Sequence, residues 1–185
     1  MDRTSAAIVV RDYRPEDVDA LMDLFRTAVL QVARRDYTEA QVRAWAGRMD
    51  RERWLERLAA RPTFVAEIGG QIAGFSDLEP DGHIDMLFVH ADHQGRGVAA
   101  ALFDHILARA KAAGLRRLYT EASLTARPFF ERRGFTLIAA QDVPVAGEVL
   151  RNFRMELGGA DSERSWRSPH VRPQRRHLQG SDKET

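Results

Sequence analysis

A mixed α/β fold, with a mostly antiparallel central sheet and helices on both faces, is predicted by three features of the chain. Apolar stretches alternate between a period of two and a period of three to four in the order β-α-α-β-β-β-α-β-α-β-β, with one extra helical piece near the front. The middle strands are separated by Gly69-Gly70 and Asp81-Gly82, pairs that favour tight turns between antiparallel neighbours. One later strand runs through a short polar connection into a glycine-bearing helix start, Gln94-Gly95-Arg96-Gly97-Val98-Ala99.

Residues 7–12 read as the first strand. Pro15-Glu16-Asp17 suits a first helical turn, with Pro near the start and acids at the positive dipole end. Val18, Leu21, Met22, Phe25, Ala28, Val29 and Val32 then mark one buried helical face. Thr38-Glu39-Ala40-Gln41 has the form of a capping box and opens a second helix carrying Val42 and Trp45. Residues 51–60 form a further helical segment with Trp54, Leu55 and Leu58, ended by Pro62. Strands follow at 63–68, 71–78 and 83–89. A helix runs from Gly97 to about residue 113 and stops at Gly114. Residues 117–121 are a short strand, 126–133 a short helix, and 136–141 with 149–157 a closing hairpin.

With 185 residues the chain suits one well-buried domain, here 7–158. Residues 159–185 are read as a polar tail, basic by six Lys/Arg against four Asp/Glu in 160–185 and without a core of its own. The net charge of +1 gives no general case for a nucleic-acid partner. No cysteine is present, which excludes disulfides, thiolate metal sites and a cysteine nucleophile. No apolar run is long enough for a membrane span, and the N-terminus lacks a signal-peptide core, so the expectation is a cytoplasmic protein without a membrane partner.

The stretch from His83 onward carries the functional signal. N–H groups at a helix start have no intrahelical partner and carry positive dipole character, which suits phosphate. Gly95 and Gly97 lack a β-carbon and let a ligand approach the main chain. Gly95-x-Gly97-x-x-Ala100 also fits a dinucleotide fingerprint loosely, with Glu121 downstream as the ribose ligand. That fingerprint places its first Gly directly off the strand and opens its βαβ unit, and neither holds here. A helix start with no ligand is the plainest alternative. His83, Asp85, His90 and His93 match no standard metal spacing, so no metal is expected.

Gln94-x-x-Gly97-x-Ala99 resembles the acyl-CoA signature of the GCN5-related N-acetyltransferase (GNAT) superfamily. Asp85-Met86-Leu87-Phe88-Val89-His90 resembles its splayed fourth strand. Phe129-Phe130-Glu131-Arg132-Arg133-Gly134-Phe135 resembles its Tyr-Glu-Lys-x-Gly-Phe block. The two motifs stand in order, and the likeness covers roughly residues 8–157. The runs Ala33-Arg34-Arg35-Asp36-Tyr37, Ile84 to Val89 and Glu121 to Phe130 resemble a bacterial subgroup of small uncharacterised acetyltransferases.

The resemblance implies the acyl-CoA N-acyltransferase fold and transfer of an acetyl group from acetyl-CoA, without a metal, directly to a primary amine on a small molecule. A protein or peptide amine is the next acceptor. A non-catalytic acyl-CoA sensor is the rival from another class. It implies that Gln94, Gly95, Arg96, Gly97, Val98 and Ala99 hold the pyrophosphate. Leu87, Phe88 and Val89 hold the pantetheine arm, and an N–H near Phe88 or Val89 serves as oxyanion donor. Asp85 and His83 are the candidates for taking the amine proton. Read as a regular strand, residues 83–89 place both on the side of Leu87 and Val89. The family's Tyr acid is Phe130 here, which has no proton to give; Phe129 and Phe130 then read as packing, one of them against the pantetheine or acetyl group, and Phe130 is the one assigned to the cofactor. The Asn often seen seven positions earlier is Ser123, a candidate either to hydrogen-bond the cofactor amide or to hold a water beside the thiolate. Tyr37 and Trp45 are expected to wall the acceptor site. Dimers are common in the family, so a homodimer is a further expectation.

Overall fold

The computed structural model describes residues 7–47 and 49–158, so the tail lies outside the described residues. Among the described residues seven strands form two ladders. The first has the order β1-β2-β3-β4, with β1 Ile8–Asp12, β2 Thr63–Ile68, β3 Gln71–Asp77 and β4 Leu87–Val89. The second has the order β5-β7-β6, with β5 Arg117–Ser123, β6 Thr136–Val145 and β7 Glu148–Gly158. Every pair within the ladders is antiparallel. The ladders meet at a single parallel bridge, His83↔Tyr119.

Helices cover both faces because apolar side chains emerge on both. On one face α4 (Val98–Ala112) and α5 (Arg127–Arg132) pack Leu102, Phe103, Ile106 and Phe130 against Phe64, Leu118 and Met155. On the other, α1 (Val18–Thr27) and α3 (Arg51–Ala59) pack Leu21, Leu24, Trp54 and Leu58 against Val65, Phe75 and Met86. A third cluster sits under α2 (Glu39–Ala46), where Val29, Ala33, Tyr37 and Val42 meet Leu150. Among the described residues no helix is long and apolar enough to cross a membrane.

The expected capping box at Thr38 is formed, with Thr38 Oγ1 accepting from Gln41 N–H at 3.2 Å and Gln41 Oε1 from Thr38 N–H at 2.9 Å. Three elements depart from the sequence reading. The first helix does not continue in α form to Val32, because residues 28–32 are wound as a π-turn. The closing hairpin is longer than expected and turns at Ala146-Gly147, both with positive φ.

The third departure is the strand expected at 83–89. Only Leu87–Val89 joins β3, while Ile84 N–H donates to Tyr119 O in β5 at 2.8 Å. Ile84, Leu87 and Val89 pack on the α4 face, whereas Met86 and Phe88 pack towards α1. The alternation therefore slips by one residue between Ile84 and Met86. His83 and Asp85 do not share a side with Leu87 and Val89, as a regular strand would require.

Gly74 lets α4 approach β3. A Cβ there would stand 2.7 Å from Val98 Cγ1 and 2.9 Å from Phe88 O. Gly74→Ala should therefore destabilise the fold by about 2 kcal/mol through overpacking, read as a lower urea midpoint at unchanged slope.

Candidate active site

The switch of partners within 83–89 opens a cleft. The chain leaves β5 after Ile84 and joins β3 from Leu87, so β4 and the C-terminal half of β5 part. A cleft of about 470 Å³ lies there, with Leu87, Phe88 and Val89 on one wall and Ser123, Thr125, Ala126 and Phe129 on the other. In an antiparallel ladder, alternate residues turn both main-chain groups towards the neighbour or away from it. His90 N–H donates to Ala73 O at 2.9 Å, and Met86 O accepts from Asp77 N–H at 3.3 Å. Phe88, midway between them, therefore faces β3. Leu87 and Val89 turn their main-chain groups into the cleft, where Gln94 Nε2 donates to Val89 O at 2.9 Å.

One end of the cleft is lined by His93, Gln94, Gly95, Gly97 and the first turn of α4. Gly95 and Gly97 have φ of +72° and +86°, values that L side chains rarely adopt. Nothing stands within 4 Å of where a Cβ of Gly95 would be. The N–H groups of Val98, Ala99 and Ala100 have no intrahelical partner at this helix start. Arg96 does not line the cleft; its Nη1 donates to His93 Nδ1 at 2.8 Å. Burial and the Arg96 charge both lower the His93 pKa, which keeps that ring a neutral acceptor. The cations at the cleft are Arg132 and Arg133, quoted in the late sequence block but not singled out as site residues. Arg133 is fixed by Asp104 at 2.9 Å and lies over the rings of Phe103 and Phe129.

The other end is apolar. The π-turn brings Ala28, Val29 and Val32 to the cleft, with Ala33, Trp45 and Phe88. A π-turn widens the helix by one residue per turn, a common device at functional sites. Trp45 was expected at this wall and lines it. Tyr37 does not: it is 6% exposed, and its hydroxyl donates to Arg151 O at 2.6 Å and accepts from Leu124 N–H at 2.9 Å. Phe130 is also misplaced by the sequence reading. It is 2% exposed within the core against Phe103 and Phe135, and its neighbour Phe129 reaches the cleft. Residues on a short helix point a quarter-turn apart, so only one ring of the pair can face the cleft. Ser123 lines the cleft, and its Oγ accepts from Ala126 N–H at 3.1 Å at the start of α5.

His83 and Asp85 are not among the residues lining the cleft and belong instead to an ionic cluster with Arg57, Arg61, Glu79 and Glu121. Asp85 is paired with Arg57 at 2.6 Å and Arg61 at 2.8 Å. Burial alone would raise its pKa, but the two guanidinium groups outweigh it and hold the carboxyl below the ordinary value. His83 stacks on Tyr119 and meets Glu121 at 2.6 Å. Burial opposes its charge, but Glu121 with Glu79 and Asp85 keeps its pKa raised. Asp77 has no exposed surface, and Arg61 stands 3.3 Å from its Oδ2. Burial pushes its pKa up to about 6, against the pull of the Met86 N–H and Arg61.

The acetyltransferase (GNAT) domain family matches residues 33–157. The chain belongs to the GNAT superfamily. It is 40% identical over 149 residues to the uncharacterized N-acetyltransferase YafP of Escherichia coli (strain K12), covering 80% of this chain and 94% of that protein. Its structure is similar to that of a GCN5-related N-acetyltransferase from Rhodopseudomonas palustris, at TM-score 0.79 and 34% identity, over 86% of this chain and all (100%) of that one. The PaiA N-acetyltransferase of Thermoplasma acidophilum, solved in complex with coenzyme A, shares the fold at TM-score 0.68 and 16% identity, over 83% and 99% of the two chains. The protein is thus an acetyltransferase of the GNAT family. The cleft has the features an acyl-CoA needs: unpaired N–H groups and arginines at one end, and an open strand edge along the middle.

One pH prediction follows for this GNAT protein. The folded pKa of Asp77 lies above its ordinary 3.8, so its contribution to stability is present below about pH 4 and is lost as pH rises through about 6. Asp77→Asn cannot ionise. Its stability relative to the unsubstituted protein should rise by about 3 kcal/mol between about pH 4 and about pH 8, measured by urea unfolding across that range.

Proposed function

We propose that this acetyltransferase moves the acetyl group of acetyl-CoA directly to a primary amine on a small molecule. The observation that carries this reading is the parting of β4 and β5, which leaves the main-chain groups of Leu87 and Val89 facing a cleft that is cationic at one end and apolar at the other. Acetyl-CoA, when bound, supplies an activated thioester. The N–H groups of residues 95–99, with Arg132 and Arg133, hold its phosphates. The edge of β4 holds the pantetheine arm, and Val89 N–H faces the thioester oxygen as charge builds on it. Trp45 and Phe88 wall the acceptor, whose amine carries an apolar body to match Ala28, Val29 and Val32.

As the C–N bond forms and the C–S bond breaks, the electron pair goes to sulfur and the amine proton must leave. Among the described residues no Asp or Glu lines the cleft, and Asp85 and His83 are held in ion pairs outside it. In this reading the proton passes to water at the cleft mouth, and neither of the two residues takes it. Ser123 Oγ is the hydroxyl that meets the departing sulfur, in place of the phenol that Phe130 lacks.

Calorimetric titration with acetyl-CoA and CoA, followed by thiol release across a panel of small amines and peptide N-termini, tests the proposal. Saturable binding with release driven by small amines supports it. Release driven only by peptides overturns the acceptor assignment, and absence of binding overturns the cofactor assignment. Ser123→Ala should lower kcat by roughly tenfold, the loss of one hydrogen bond to the charge developing on sulfur, with CoA affinity retained. An unchanged kcat removes Ser123 from the reaction.

A further inference from the structure

Asp77 closes β3 deep in the protein, and its side chain lines no part of the cleft. Its Oδ1 accepts two main-chain N–H groups in succession, Asp85 at 3.0 Å and Met86 at 2.8 Å. From the same strand end, Asp77 N–H and Ser76 Oγ both donate to Met86 O, at 3.3 and 2.5 Å. In a regular strand successive N–H groups point in opposite directions. Here two converge on a single oxygen, at the point where the chain exchanges β5 for β3. The carboxylate thus takes the place of the ladder across the slip between Ile84 and Met86.

That slip sets the phase of everything after it. With it, Leu87 and Val89 turn their N–H groups to the cleft, and Phe88 bonds β3. A shift by one residue would reverse the arrangement and carry the side chains to the wrong faces. Arg61 holds the outer oxygen of Asp77 and ties it to Asp85 and Glu79, and Arg57 completes the cluster on Asp85. Burying a carboxyl group is costly unless its oxygens are hydrogen-bonded, and here the inner oxygen is met by two main-chain N–H groups and the outer one by Arg61.

We propose that Asp77 is a positioning residue for acetyl transfer: its carboxylate holds the break at Asp85 and Met86 and so fixes the phase in which Leu87 and Val89 present N–H groups to the cleft. This rests on the acetyl-CoA reading given above.

The test follows backbone amide resonances of the ¹⁵N-labelled protein during titration with acetyl-CoA. Gly95 and Gly97 report the clamp, and Leu87 and Val89 report the strand. All four shift in the unsubstituted protein and in Asp77→Asn, whose amide oxygen accepts the same two N–H groups. In Asp77→Ala, Gly95 and Gly97 still shift while Leu87 and Val89 lose their response. With an acceptor amine, kcat of that variant falls about tenfold or more and KM for acetyl-CoA rises with it, because the edge of β4 serves both the pantetheine arm and the transition state, and Asp77→Asn restores both. Responses at Leu87 and Val89 in Asp77→Ala equal to those of the unsubstituted protein overturn the assignment and leave the acetyl-CoA reading intact. No response at Gly95 and Gly97 in the unsubstituted protein overturns the acetyl-CoA reading, and the positioning role with it. If Asp77→Ala does not fold, hydrogen exchange on the unsubstituted protein decides. Asp85 and Met86 amides that exchange as slowly as those of the β2–β3 ladder support the role, and fast exchange at both overturns it.

Discussion

Every buried main-chain N–H and C=O must find a partner, and the stretch from His83 to Val89 satisfies that constraint in an unusual way. Its first part pairs with β5 and its last part with β3. No continuous sheet can be drawn through both, so β4 and β5 must diverge. The cleft is the direct result. A strand that kept one partner throughout would have closed the sheet, and Leu87 and Val89 would have spent their N–H groups on a neighbouring strand. The clamp at α4 and the apolar end under α2 are placed by this divergence, since both sit on elements anchored to one ladder or the other.

The charged cluster at the end of β3 belongs to the same constraint. Asp77, Asp85 and Glu79 gather around Arg61, with Arg57 on Asp85 and His83 against Glu121. Paired charges of this kind, buried at Asp77 and partly exposed at the others, add little net stability, because desolvation at the buried group and solvent screening at the rest consume most of the Coulomb gain. Their value lies in geometry. A carboxylate oxygen accepts several hydrogen bonds from directions a strand backbone cannot match, and the guanidinium groups keep the acids tied to a region that would otherwise be an irregular loop.

Much of this was legible in the chain. The glycine-bearing helix start, the order of elements and the capping box at Thr38 depend on local chemistry, and local chemistry is what a single sequence carries. The slip in 83–89 was not legible. Alternation was read straight through it, because the signal for the break is a distant partner, Asp77, whose carboxylate meets Asp85 and Met86 only after β3 has folded beside them. The same reason explains Tyr37 and Phe130. An aromatic side chain near a site looks alike whether it faces the ligand or stands behind it. Tertiary partners settle the matter, here Arg151 and Leu124 for Tyr37, and Phe103 and Phe135 for Phe130. The π-turn at residues 28–32 also escaped, since its side chains keep nearly helical spacing.

The distribution of charge along the cleft constrains the chemistry more than any single side chain. Arg132, Arg133 and the α4 N-terminus make one end positive, and the opposite end has Ala28, Val29, Val32, Trp45 and Phe88 with no carboxylate among the described lining residues. An ammonium ion entering the apolar end loses its hydration without gaining a counter-ion, and it meets positive potential from the clamp beyond. Both effects favour the neutral amine. The same field favours negative charge developing on oxygen and sulfur at the middle of the cleft. On the proposed reading, in which a neutral amine attacks the thioester, this placement of charge lowers the proton affinity of the nucleophile and stabilises the charge that the reaction creates.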